Sequence, residues 1–175
     1  MADKSLRSVI AHIADLTRNI YTGDYPVDVK EIVQALNGRC IGIDAPSNGY
    51  DEFFDTRLNI FPRSNPDDFS FEIEYAKWKP EPTMRFSIAS ELGHVLMHTR
   101  IERIHEAHWD CTFSCVKDRE ANEFAACLLM PENLVRSICE KNTDEKGNIQ
   151  TFEVANYFGT TIKATEMRCK ILGLL

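Results

Sequence analysis

The chain has no apolar run approaching the roughly 18 residues that a membrane-spanning helix needs. Met1-Ala2-Asp3-Lys4-Ser5 leads into no apolar stretch that would serve as a signal peptide, so the cytoplasm is the expected compartment and no membrane partner is expected. Positive charge is also short. Lys and Arg number 20 against 27 Asp and Glu, and the net charge of -7 excludes a generally basic surface for non-specific nucleic acid or anionic lipid. No C-x₂-C pair occurs. Of Cys40, Cys111, Cys115, Cys127, Cys139 and Cys169 only Cys111 and Cys115 are neighbours, at a wider spacing, and no second pair completes a zinc site. In a reducing compartment they read as thiols. Neither internal repeats nor low-complexity tracts are found.

What remains is ordinary globular material. The 175 residues are 43 % hydrophobic and 27 % charged, enough to build and cover one core, with a small helical appendage. Leu6, Val9, Ile10, Ile13, Leu16 and Ile20 recur at helical spacing over residues 5–20 and predict one core-facing stripe, with His12 off it in solvent. Asp28 followed by Glu31 starts a second helix that buries Val29, Ile32, Val33 and Leu36, and Asn37-Gly38 stops it. Three short strands are predicted at 40–43, 57–61 and 69–75. The last alternates Phe69, Phe71, Ile73 and Tyr75 against Ser70, Glu72 and Glu74, which gives a small sheet with one wet face. A helix over 83–98, an irregular stretch over 99–116, a helix over 117–130 and another over 132–140 follow. A polar hinge at 142–147 leads to two short helical patterns, 151–158 and 162–172, broken at Gly159. The fold class is therefore α+β and mainly helical. Residues 1–140 are expected to form the main domain and 141–175 a helical tail.

Chemistry concentrates in two segments. Ser90-Glu91-Leu92-Gly93-His94 lies inside the helix of 83–98. On such a helix, residues four apart share a face one turn apart, so paired histidines there can hold one zinc while the Glu after the first accepts a proton from metal-bound water. Glu91 has that base position and His94 the second-ligand position. Ser90 stands where the first ligand would be, and a neutral hydroxyl is a poor zinc ligand beside imidazole or carboxylate. Gly93 lets a neighbouring element approach closely. Glu120, on the later helix, is the candidate third ligand, with Phe124, Cys127 and Leu128 facing the core beneath it.

Arg85-Phe86 through His98, followed by Glu120-Ala121-Asn122 through Leu129-Met130-Pro131, resembles the ImmA/IrrE family of zinc metallopeptidases. The tail, from Glu153 to Thr161 and on to Leu175, resembles the closing helices of that family. Firm similarity covers about 85–175. Residues 24–43 fit weakly and 44–82 carry no recognisable match. The resemblance implies a gluzincin-like site on a zincin-like core, with zinc held by two histidines and a glutamate. Carried over by position, His94 and Glu120 are ligands and Glu91 the general base. The family implies a partner as well, since many members are encoded beside a helix-turn-helix repressor and cleave it under stress or induction.

Ser90 divides the functional reading. One outcome is a degenerate zinc site that binds a partner protein, such as a helix-turn-helix repressor, without hydrolysis. The alternative is an active zinc endopeptidase in which water or another residue completes the site. His98, one turn after His94, and Glu123 are the candidate substitutes. His98 reads more simply as a histidine bonded near the cleft, and Glu123 as a solvated helix charge. His105 and His108 read as polar loop residues. The tail has a helix-turn-helix look, but Lys163, Arg168 and Lys170 are offset by Glu153 and Glu166, so phosphate neutralisation is weak and DNA is not the expected partner. Phe158, Ile162, Met167, Ile171 and Leu174 read as core.

Overall fold

A computed structural model describes residues 4–45, 55–62, 69–98 and 111–175. Among them run α1 (Lys4–Arg18), α2 (Val29–Ala35), β1 (Gly38–Ile43), β2 (Thr56–Pro62), β3 (Phe69–Ala76), α3 (Glu81–His98), α4 (Cys111–Leu129), α5 (Glu132–Lys141), α6 (Thr151–Phe158) and α7 (Ile162–Ile171). The architecture is the expected one, mainly helical with one small sheet. No helix of the described residues is long and apolar enough to cross a membrane.

The sheet has the order β1-β3-β2, with β1 parallel and β2 antiparallel to β3. Successive side chains of a strand alternate faces. The central strand accordingly buries Phe71 and Ile73 in the core. Its other face carries Glu72, paired with Arg39 of β1, and Glu74, bonded by Arg57 and Asn59 of β2. The wet face is thus a cross-strand charge ladder. The Asp28 carboxylate caps α2 by accepting from the backbone N–H of Lys30 at 2.9 Å and Glu31 at 3.4 Å, and Asn37 ends that turn at φ 62°.

Helices α3 and α4 form the frame of the core. Gly93 makes their contact possible. A Cβ there would lie 2.9 Å from Phe124 Cδ1 and 3.2 Å from both Cα and O of Ala121. With hydrogen in that place the helices approach closely, and Leu92, Ala121, Phe124, Ala125 and Leu128 are sealed beneath the crossing. Full burial of each large apolar side chain contributes about 1.5–3 kcal/mol.

Three expectations need correction. Helix α4 starts at Cys111, so the stretch 99–116 is not irregular throughout; its last six residues are helical. His105 and His108 lie outside the described residues. In α1, Ile10, Ala14 and Thr17 are buried, while Leu6, Val9 and Leu16, and Ile20 just beyond the helix, are exposed, Val9 and Leu16 by more than half. Small Ala14 and hydroxyl-bonded Thr17 (Oγ1 to Ile13 O, 2.8 Å) are in the buried stripe. Periodicity alone does not decide which of two adjacent stripes faces inward. In the tail, Val154, Phe158 and Cys169 join the core, but Ile162, Met167 and Ile171 are exposed. One turn of α7 offers a narrow inner face, and Thr165, Arg168 and Cys169 occupy it instead.

Candidate functional site

The close crossing at Gly93 sets one face of α3 against one face of α4. Ser90, His94 and His98 lie a turn apart along α3, and Asp118, Glu120 and Asn122 lie on α4. His94 and His98 are buried, at 8 % and 9 % exposure. His94 Nδ1 and His98 Nδ1 are 3.0 Å apart. His98 Nε2 is 3.0 Å from Glu120 Oε2. His94 Nε2 is 3.4 Å from Asp118 Oδ1.

These contacts link Asp118, His94, His98 and Glu120 in one chain, in which one of the two facing Nδ1 atoms donates and the other accepts according to the tautomers of the rings. Burial, then neighbouring His98, push His94 down to about 4; Asp118 pulls it up and Lys117 adds to the lowering. It is neutral near pH 7.

Glu91 is half-buried beside this relay. Thr56 Oγ1, from β2, donates a hydrogen bond to Glu91 Oε1 at 2.8 Å. Burial raises the Glu91 pKa above the ordinary carboxylate value; the Thr56 bond lowers it, and Asp118 raises it. A carboxyl whose pKa is raised by burial beside a cluster of titratable side chains marks a candidate functional position.

Ser90 Oγ donates to Asn122 Oδ1 at 3.1 Å. The position that the resemblance gives to the first ligand is therefore occupied by a hydroxyl tied to the opposite helix. Glu120, the third-ligand position, is engaged by His98 rather than left for a metal beside His94. Among the described residues, no three His, Cys, Asp or Glu side chains are arranged to hold a metal ion. As placed, this donor set does not fit a two-histidine, one-glutamate zinc site.

The structure thus brings together Glu91, His94, His98, Glu120 and Ser90. It does not bring Glu123 to them. Glu123 Oε1 instead faces Arg168 Nη1 of α7 at 3.5 Å and is largely buried, so it is not a solvated helix charge. Sequence reasoning missed Thr56, Asp118 and Asn122. Asn122 stood in the quoted Glu120 segment and Asp118 just before it, two residues to either side of Glu120, a helical spacing that does not place them on its face. Thr56 lies in the stretch without a recognisable pattern, and only strand pairing brings it to Glu91.

The chain matches the IrrE N-terminal-like domain over residues 55–170. It belongs to that family. Among solved structures it is similar to a Mycobacterium tuberculosis transcriptional regulator, with a TM-score of 0.61 at 12 % identity over 96 % of this chain and 47 % of that one. That likeness concerns the fold, and the chain spans about half the length of that regulator. No curated protein matches the chain.

Proposed function

We propose that this member of the IrrE N-terminal-like family binds a partner protein, with a helix-turn-helix repressor as the favoured class, at a metal site that has degenerated. The carrying observation is the hydrogen bond from Ser90 to Asn122 at 3.1 Å. It supports a site whose first-ligand position now ties α3 to α4. A hydroxyl contributes little zinc affinity there, and even changes outside the ligand set commonly cost 10–100-fold. The acidic net charge favours a protein or peptide over DNA, and residues 141–175 serve as packing elements. Buried free thiols at Cys127, Cys139 and Cys169 fit a reducing cytoplasm.

Metal content of tag-free protein, by elemental mass spectrometry after zinc addition and dialysis, tests this reading together with a binding assay on a repressor encoded beside the gene. Near-zero zinc with a stable, uncleaved complex is expected. About one zinc per chain and metal-dependent loss of the repressor would establish the second reading, an active zinc endopeptidase. That reading has its own support. Glu91, His94 and Glu120 are retained, and His98 Nε2 stands 3.0 Å from Glu120, so water or a shifted side chain has partners with which to complete a site.

A further inference from the structure

Two of the buried thiols meet where the tail packs on the rest of the chain. Cys139 of α5 and Cys169 of α7 lie with their Sγ atoms 3.7 Å apart. Both are free thiols. Both belong to the core, at 2 % and 0 % exposure. Cys127 is buried as well, but its Sγ faces Glu123 Oε1 at 3.9 Å. Among the described residues, sulfur set against sulfur is therefore particular to the seam between α5 and α7.

The seam lies where the backbone can give. Cys139 is third from the end of α5 and Cys169 third from the end of α7. Helix ends open more readily than helix interiors. A disulfide holds its sulfurs about 2.05 Å apart, so joining this pair takes roughly 1.7 Å of approach from a contact that already exists. A rotation about χ1 of one cysteine, with a small shift of a last turn, covers that distance. The two helix ends are also tied at a second point, since Arg136 of α5 donates from Nη2 to the carbonyl of Leu172, the C-cap of α7, at 3.1 Å.

We propose that Cys139 and Cys169 are the site of a reversible intramolecular disulfide, formed at the expense of a small hydroperoxide, that locks α7 onto α5. One thiolate sulfur attacks an oxygen of the peroxide. The O–O bond breaks, hydroxide or alkoxide leaves, and the sulfur becomes a sulfenic acid. The second sulfur then attacks the sulfenic sulfur. The S–S bond forms, the S–O bond breaks, and water leaves. The two thiols give up two protons and two electrons in all, and the peroxide is reduced to water and an alcohol, or to two waters from hydrogen peroxide. A dithiol reductant reverses the reaction through a mixed disulfide.

The surroundings assign the order of attack. Burial, then the contact with Cys139, pushes the Cys169 thiol up to about 12, so it carries no useful thiolate near pH 7. The first attack falls to Cys139, and Cys169 resolves the sulfenic acid. A bulky oxidant does not reach a sulfur sealed in the core, whereas a small hydroperoxide does when the last turns open. The bond closes residues 139–169 into one ring that contains α6 and α7 up to its last turn. Arg168, next to Cys169, donates from Nε to Met130 O at 3.1 Å, so the lock extends to the corner between α4 and α5. None of this depends on whether the α3–α4 site holds metal or cleaves a partner.

The test treats the full, freshly reduced chain with hydrogen peroxide, blocks the remaining thiols with N-ethylmaleimide and maps the unreduced peptides by mass spectrometry. The expected principal linkage is a peptide pair joined through Cys139 and Cys169 and released by dithiothreitol. The linked chain should melt about 5 °C or more above the reduced one, the shift that closing a loop of this length typically brings. Dithiothreitol should return it to the reduced value. Cys139→Ser and Cys169→Ser should each lose the linkage and the shift, while Cys127→Ser keeps both. Circular dichroism confirms that the variants fold, and the wild-type peptide map decides the matter without them. A principal linkage through any other pair of cysteines, both thiols left open to N-ethylmaleimide, or a linkage that forms only in denaturing urea overturns the proposal. A linked chain that melts no higher than the reduced one overturns the lock.

Discussion

Ser90 and Asn122, 32 residues apart in sequence, are joined by a 3.1 Å hydrogen bond that links α3 to α4. This bond occupies the place where the family's first ligand would project. Replacing Ser90 with His puts an imidazole one turn before His94, at the i, i+4 spacing that lets two histidines share a zinc. After zinc addition and dialysis, Ser90→His is expected to retain roughly one zinc per chain, with the wild type near zero. Bound metal should also raise the melting temperature, since a ligand at 100 times its Kd stabilises the fold by about 2.7 kcal/mol. If Ser90→His stays zinc-free, the Glu120–His98 bond, rather than the missing ligand, keeps metal out.

The His94–His98 contact sets a pH dependence. His94 lies at about 4 in the fold against 6.5 in its ordinary state, chiefly through burial and His98. Between those values the unfolded chain binds a proton that the folded chain does not. Stability is therefore fully present above pH 6.5, falls as pH drops toward 4, and loses no more below it. At about 1.4 kcal/mol per pH unit the window holds roughly 3 kcal/mol. Glu91, raised by burial, works in the opposite sense and offsets part of it. Urea unfolding at about pH 7 and pH 4.5, with chelator present, should show this loss in the wild type and a flatter response in His94→Gln. Equal slopes in the two proteins would show that His94 is not the group responsible.

Much of this was legible in the sequence. The order of elements followed from periodicity and caps, with β3 read correctly from the alternation of Phe71 and Ile73 against Glu72 and Glu74. Glu91, His94 and His98 were found because helical spacing makes neighbours of them, and Glu120 because the resemblance places a ligand on the later helix. Gly93 was read as a point of close approach, and Ala121 and Phe124 supply the element that approaches. What escaped was tertiary. Thr56 reaches Glu91 only through the pairing of β2 with β3, which no local pattern encodes. The choice between the two apolar stripes of α1 depends on the helix it meets, and Leu16 and Val9 lost to Ala14 and Thr17. The ion pair of Glu123 joins α4 to α7 across 45 residues, and its charge alone looked like solvated helix surface.

Thr56 is the residue through which the sheet acts on the site. Its hydroxyl is the one hydrogen bond that lowers the Glu91 pKa against burial. Thr56→Val keeps the shape and removes the donor. The carboxyl titration of Glu91, followed by carbon NMR, should move further upward, and the lost hydrogen bond to the half-buried carboxylate should cost about 1 kcal/mol. Thr56→Ser, which keeps the hydroxyl, should titrate like the wild type. A Glu91 titration that does not move in Thr56→Val would mean that the bond at 2.8 Å has no electrostatic effect on the carboxylate.

Gly159 and Gly147 separate strain from crowding. Both have positive φ, at 60° and 85°. A Cβ at Gly147 meets nothing within 4 Å, whereas one at Gly159 would lie 2.0 Å from Arg85 Nη1 and 2.8 Å from Pro26 Cβ. Either Ala substitution incurs the left-handed penalty of about 1–2 kcal/mol. Only Gly159→Ala must also push aside Arg85, which is anchored to Glu81 at 2.6 Å, and the Pro26 ring. Overpacking of this kind typically costs a further 1–3 kcal/mol, roughly. Gly147→Ala should therefore be mildly destabilising and Gly159→Ala distinctly more so, by about 1 kcal/mol or beyond, in urea unfolding at equal m-values. Because Gly159 caps α6 against the start of α3, the larger loss should come with weaker packing of the tail, seen as faster amide exchange at Val154 and Phe158. Equal losses in the two variants would mean that the tail sits more loosely on Arg85 and Pro26 than the 2.0 Å and 2.8 Å approaches imply.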